Sequence, residues 1–351
     1  MPKRILEGMT PEGRAEKRQR LGPLRNLTVQ PGTRKRYDRA IDDFLKFLKF
    51  NQLSLPKQRE KLDGLVCEFI EHLWSSGQGR AHGSDCVAGL QDMDPKIRGH
   101  LPGAWRLLKT WAVNEIPNRA PPLPEHVLHA LCGWAVLKQH FSFAVSLLLG
   151  FYGMLRTGEL LEVRRKDFVA ESHGRRIVLS LGLTKGGKRA GAAESVVLGH
   201  DTLTRPLFHW MKLTSGMQKL TMSPAKWRGL FQEAIEALGL KAFEFRPYSL
   251  RRGGATWWFS KHQSLDTILI QGRWQAAKTA RMYINEGLAI LAELKLTPQD
   301  PRIKSFISMH RNHLFSPTFA TLEPPPKVGR KGGRGKGRVS SRSAKKRFFC
   351  F

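Results

Sequence analysis

From residue 33 the apolar positions Tyr37, Ile41, Phe44, Leu45 and Leu48 recur at the three- and four-residue spacing of a helix with one buried face, and Thr33 stands before a basic first turn as a capping residue. Three more helical segments follow at about 59–74, 84–93 and 104–113, separated by glycine- or proline-containing breaks. Beyond a proline-dense stretch at 116–124, the pattern gives helices at about 125–139 and 141–155, a strand at 176–183 and a hairpin partner at 195–198. Helical spacing then resumes at 206–213, 224–238, 250–260, 265–271, 276–284 and 288–294. The expected fold is mainly α with a small β-sheet or hairpin, in two domains.

The domain order read from these shifts is a flexible basic arm at 1–26, a helical domain at 27–115, a proline-rich linker at 116–124, a second domain at 125–315 and a disordered basic tail at 316–351. At 351 residues the chain is long enough to bury two cores. The longest apolar run, residues 141–155, is shorter than the roughly 20 residues that cross a bilayer, so no membrane span is expected. Lys3 and Arg4 lead into mixed polar residues, with no apolar core of a signal peptide, and secretion is not expected. Cys67, Cys86, Cys132 and Cys350 have no paired spacing, which suits a reducing compartment and argues against a disulfide framework or zinc module.

Charge narrows the partner. The formal net charge is +30, and the ten Lys/Arg of the acid-free stretch 327–347 leave +20 for the rest, so both the folded part and the tail call for a polyanion. Duplex DNA is the expected partner. A nuclear location is expected, with Lys345-Lys346-Arg347 as an import signal or as more of the phosphate-seeking tail.

Residues 247–284 hold two of the four tyrosines together with Arg251-Arg252-Gly-Gly and Gly272-Arg273-Trp274, while Arg156 closes an apolar helix and Lys185 follows a strand. Phosphodiester cleavage without metal needs a nucleophile, cations on the non-bridging oxygens and an acid for the leaving oxygen. Arginine forks such as Arg156 and Arg251 bind two oxygens at once and stay charged. A lysine on a hairpin delivers a proton, and the tyrosine ester keeps the energy of the broken bond, so religation needs no nucleotide.

In that order, these residues resemble the catalytic domain of tyrosine recombinases, and Arg251-Arg-Gly-Gly-Ala-Thr256 with Gly272-Arg-Trp274 is most similar to eukaryotic mobile-element members of the DIRS and crypton type. The resemblance covers about 33–294 and implies a two-domain DNA-breaking-rejoining fold, with the helical N-terminal part as core-binding domain and 125–315 as catalytic domain. It also implies a clamp around DNA and strand exchange by four protomers on two DNA segments, the helix near 288–294 being one candidate for docking on a neighbour. By the family pattern Arg156 and the supporting Glu159 form the first box, Lys185 with Lys188 as fallback is the hairpin lysine, Arg251 belongs to the second box, and Trp274 precedes the nucleophile Tyr283 by nine positions. The family's histidine three residues before the second arginine is Tyr248 here, a phenol that hydrogen-bonds phosphate but takes up a proton far less readily. That substitution keeps open a DNA-binding protein whose chemistry has decayed, and a nicking-closing enzyme of topoisomerase type would use the same residues. His262, eleven residues past Arg251, is not expected to replace the histidine.

Arg34, Lys35, Arg36 and Arg39 on the first helix, with Lys188, Arg252 and Arg273 in the second domain, are candidate DNA contacts. Gly182-x-x-x-x-Gly187-Lys188-Arg189 lacks the hydroxyl and following helix of a phosphate-binding P-loop, and His126-x-x-His129 has no third ligand of matching context. No metal and no cofactor are expected.

Overall fold

The computed structural model describes residues 10–56, 58–116, 118–182, 184 and 193–313. They form two compact units that meet in sequence at Asn118 and Arg119.

The first unit packs α2 (Pro31–Phe50), α3 (Arg59–Ser75), α4 (Arg80–Met93) and α5 (Pro102–Asn114), with α2 against α4 and α3 against α5. Ala40, Phe44 and Leu48 are the buried stripe of α2, while Leu45 of the expected apolar set remains exposed. Helix α2 starts before Thr33 because Pro31 occupies its first turn, where proline's fixed φ and missing N–H cost nothing. Ahead of it, residues read as an arm without regular structure form α1 (Pro11–Leu21), whose Thr10 side chain accepts from the Gly13 N–H. None of its residues is buried, which is why no apolar period announced it.

The second unit is built around α7 (Phe141–Tyr152), in which every residue except Ser142 is buried. A helix apolar on all sides must be enclosed, and α6 (Glu125–Leu137), α9 (Asp201–Leu213) and α11 (Pro247–His262) enclose it. Trp227 on α10 (Pro224–Ala237) reaches the same core and donates from Nε1 to Ser146 Oγ at 2.8 Å. After α7 come the single turn α8 (Thr157–Leu160) and an antiparallel sheet of β1 (Phe168–Ala170), β2 (Ile177–Gly182) and β3 (Glu194–Leu198), in that order. Phe168, Ile177, Leu179, Val196 and Leu198 face the core, while Val169, Val178 and Val197 face outward. Helices α12 (Leu265–Gly272), α13 (Ala277–Arg281), α14 (Glu286–Lys295) and α15 (Pro301–His313) complete the unit.

Further sequence expectations change in the second unit. Half of the 116–124 linker is core: Ala120 and Leu123 are buried, and the Leu123 N–H bonds to the Ser249 carbonyl at 3.1 Å. Helix α9 runs through Pro206 instead of starting there, because Leu203, Thr204, Pro206 and Leu207 are all buried and packing outweighs the lost backbone bond. Strand β1, only three residues long, and α15, the latter packed along α6 through Ile303 and Ile307, were not read from the pattern. Helix α13 is shorter than the expected 276–284 and stops before Tyr283.

Contact between α7 and α11 depends on glycine. A Cβ at Gly254 would lie 2.0 Å from the Phe151 carbonyl oxygen. Gly254→Ala is therefore expected to lower unfolding stability by about 2 kcal/mol or more, whereas Gly229→Ala, whose Cβ meets nothing within 4 Å in α10, should add about 0.5–1 kcal/mol. Thermal unfolding of the two variants beside the parent checks both signs.

Candidate active site

Among the described residues, Arg251 is the most deeply placed cation of the second unit, at 1% exposure. It occupies the second turn of α11 and reaches the bend after α7, donating from Nη1 to the Met154 carbonyl and from Nη2 to the Gly272 carbonyl at 2.8 Å. Its guanidinium lies 4.7 Å from the Trp274 ring centre and 5.2 Å from that of Tyr283, a cation held over aromatic faces. Burial, then the neighbouring Arg273 and Arg156, push its pKa down to about 10. Its Nε–H is buried with no acceptor among the described residues.

Met154 is left-handed, with φ 45°, and that reversal turns the chain out of α7 so that Arg156 caps α8. The Arg156 N–H donates to Glu159 Oε2 at 2.9 Å and its Nη1 to Oε1 at 2.5 Å. The guanidinium remains partly open to solvent, with 30% of the side chain exposed. A cavity of about 480 Å³ opens beside it, lined by Arg156, Glu159, Lys166, Ser180 and Thr184 among others.

Tyr283 follows α13 and is fixed by its backbone: its N–H bonds to the Ala280 carbonyl at 2.8 Å, and its carbonyl accepts from Thr256 Oγ1 at 3.4 Å. Trp274 packs against its ring at a centroid distance of 4.6 Å. Tyr248, in the first turn of α11, donates its hydroxyl hydrogen to the Tyr283 oxygen. Burial alone would raise the Tyr283 pKa, but the Tyr248 hydrogen bond together with the charges of Arg251 and Arg156 outweighs it and holds the phenol below its ordinary value of 10. Tyr248 moves the opposite way, raised by burial and by the hydrogen it shares with Tyr283.

Behind these groups lies a buried ion-pair lattice. Arg273 Nη2 donates to Glu159 Oε2 at 2.8 Å, and its Nε lies 3.4 Å from Glu194 Oε2, which also accepts from Thr184 Oγ1 at 2.6 Å. Glu159 loses solvation, which raises its pKa, yet Arg273 and the Arg156 backbone and side chain reverse this and keep it below the usual 4.5.

Arg156, Glu159, Tyr248, Arg251, Trp274 and Tyr283 are thus gathered around one place. Lys185 and Lys188 lie outside the described residues, although Thr184 and Glu194 on either side of that connection belong to the site. Arg252 and Arg273, read as DNA contacts, are buried at α11 and at the end of α12, and Arg273 is ion-paired inside the protein. In the first unit Arg34 pairs with Asp92 and Arg36 with Asp85 at 3.2 Å, while Lys35 and Arg39 are exposed. His262 packs on Trp258, His126 on the Leu296 carbonyl and His129 on the Tyr152 hydroxyl. Glu194 was missed. Its signal was present, since it is the lone acid between Glu171 and Asp201 in a stretch with five Lys/Arg.

Neither a protein-family model nor a curated protein sequence matches the chain. Solved structures do match. The Tn1549 transposon integrase in complex with transposon right end DNA is 12% identical, with a TM-score of 0.54 over 80% of this chain and 96% of that one. The same integrase with a circular intermediate DNA gives 14%, 0.51, 80% and 97%. The XerH site-specific recombinase bound to palindromic difH substrate, in a post-cleavage complex, is 15% identical over 66% of this chain and 72% of that one, at a TM-score of 0.45. The mostly helical chain with its three-stranded antiparallel sheet therefore has the fold of the transposon integrase.

Because the folded state holds Glu159 below its ordinary pKa, its contribution to stability is complete above pH 4.5 and is lost as pH falls through the lowered value. Denaturant unfolding from pH 7 to pH 3 should show an acid limb that flattens in Glu159→Gln.

Proposed function

We propose that this protein is a tyrosine recombinase that breaks and rejoins duplex DNA through a 3′-phosphotyrosyl link to Tyr283. The observation that carries the reading is the convergence of Arg156, Arg251 and the Tyr248-bonded Tyr283 around one place in an integrase fold. The narrower likeness to DIRS and crypton recombinases rests on the Arg251–Thr256 and Gly272–Trp274 motifs.

In this mechanism the Tyr283 oxygen bonds to a backbone phosphorus and gives its proton to solvent, while the bond from phosphorus to the 5′ oxygen breaks. Arg156 and Arg251 carry the charge that builds on the non-bridging oxygens, a stabilisation strongest where protein replaces water. Lys185 protonates the departing 5′ oxygen. Tyr248 serves where the family has histidine, as a hydrogen-bond donor that favours the reactive phenolate without accepting a proton. Religation is the same path reversed, with no metal or nucleotide. Strand exchange between two DNA segments takes four protomers, and the exposed Leu288, Ile290, Leu291 and Leu294 of α14 are a surface for one of those contacts. The +30 charge supplies salt-sensitive affinity for duplex DNA, and a nuclear site of action completes the reading.

Tyr248 in place of histidine also supports a second reading, in which the protein binds DNA without cutting it. A nicked suicide duplex separates the two. Wild type is expected to give a covalent protein–DNA band on a denaturing gel, undiminished by EDTA and absent in Tyr283→Phe. Tyr248→Phe should slow the band by about 10-fold or more and move its rise with pH to higher pH, because Tyr283 loses the bond that lowers its pKa. No band on any DNA would favour binding alone.

A further inference from the structure

Arg273 combines two costly features. Its backbone is left-handed, with φ 57°, where a residue other than glycine is strained, and its side chain is 5% exposed. A surface contact to DNA would need neither. The guanidinium is instead spent on three internal segments. It bonds Glu159 at 2.8 Å, the acid that also holds Arg156, and lies near the Gly153 and Met154 carbonyls at 3.4 and 3.5 Å. It pairs with Glu194 at 3.4 Å at the start of β3, and Glu194 accepts from Thr184, which follows β2. The next residue is Trp274, which packs on both Arg251 and Tyr283.

We infer that Arg273 is a positioning residue that locks the Arg156 turn and the root of the β2–β3 connection into one arrangement, so that neither is set without the other. This rests on the proposed strand-cleavage chemistry at Tyr283. The charges agree with such a role: Arg156, Arg251 and Arg273 face Glu159 and Glu194, leaving one positive charge for one phosphate. Removing Arg273 leaves two carboxylates against two cations beside the phosphate. Glu159 and Glu194 then repel each other, and Arg156 and the Thr184–Glu194 edge lose their common anchor.

The test uses the full-length protein and a saturating nicked suicide duplex, with DNA affinity measured in parallel. Arg273→Met is expected to slow covalent adduct formation by about 30-fold or more while changing the DNA Kd by less than about 3-fold. Arg273→Lys, which keeps the charge without the fork, should recover only part of the rate. Glu194→Gln should slow the reaction by about 5-fold, and the double variant Arg273→Met/Glu194→Gln should be no slower than Arg273→Met alone. A fall in DNA affinity that matches the fall in rate, with a shallower salt dependence, would make Arg273 a phosphate contact and overturn the inference. Multiplying effects in the double variant would overturn it as well.

A ligand-free arm judges the lattice separately. Thermal unfolding midpoints of the wild type and of the Arg273→Met, Glu194→Gln and double variants should show the same non-additivity, and additive shifts would contradict it. Absence of adduct in wild type would count against the cleavage reading, while additive midpoints would count against the role of Arg273.

Discussion

A guanidinium taken almost wholly out of water needs its partners inside the protein, and Arg251 imposes that requirement on the second unit. Its two terminal nitrogens bind carbonyls from the bend after α7 and from the end of α12, and its face packs against Trp274 and Tyr283. One side chain on α11 thereby fixes the distance between the turn that carries Arg156 and the segment that carries the tyrosine. The close approach at Gly254 serves the same end, since it lets α11 lie against α7 at the level of Phe151.

The electrostatics follow from this packing. Arg251 and Arg156 act on Tyr283, and Tyr248 adds a hydrogen bond, so the two phenols are driven in opposite directions. Two titratable groups of one kind whose environments separate them are a mark of division of labour. Here the surroundings lower the pKa of Tyr283 and raise that of Tyr248. Glu159 and Glu194 pair with Arg156 and Arg273 and partly offset the surplus of arginines, while Arg251 is held by carbonyls and aromatic faces alone.

Much of this was legible in the sequence. Arg156, Arg251, Trp274 and Tyr283 stand in a fixed order, and the helical periods around them are strong enough to place each near the end of an element. Tyr248 was visible as a departure, though not its bond to Tyr283, because the partner is 35 residues away and the contact depends on how α11 and α13 pack. The burial of Arg252 and Arg273 was not visible because an arginine in a basic chain looks like a surface charge, and only the fold brings Glu159 and Glu194 to Arg273. Helix α1 escaped because it has no buried face, and α15 because its apolar period is only Ile303, Phe306 and Ile307, ends on the buried His310, and faces a partner, α6, that lies far back in the sequence. The half-buried linker escaped because proline density marks a stiff segment without saying what it packs on.

The central claim is that Tyr283, and no other phenol, forms the bond to phosphorus. The direct measurement is to trap full-length protein on a nicked suicide duplex, digest it and map the nucleotide-bearing peptide by mass spectrometry. The account predicts a nucleotide on the peptide containing Tyr283 alone among the four tyrosines. A nucleotide carried by Tyr248, or by any residue other than Tyr283, would contradict it.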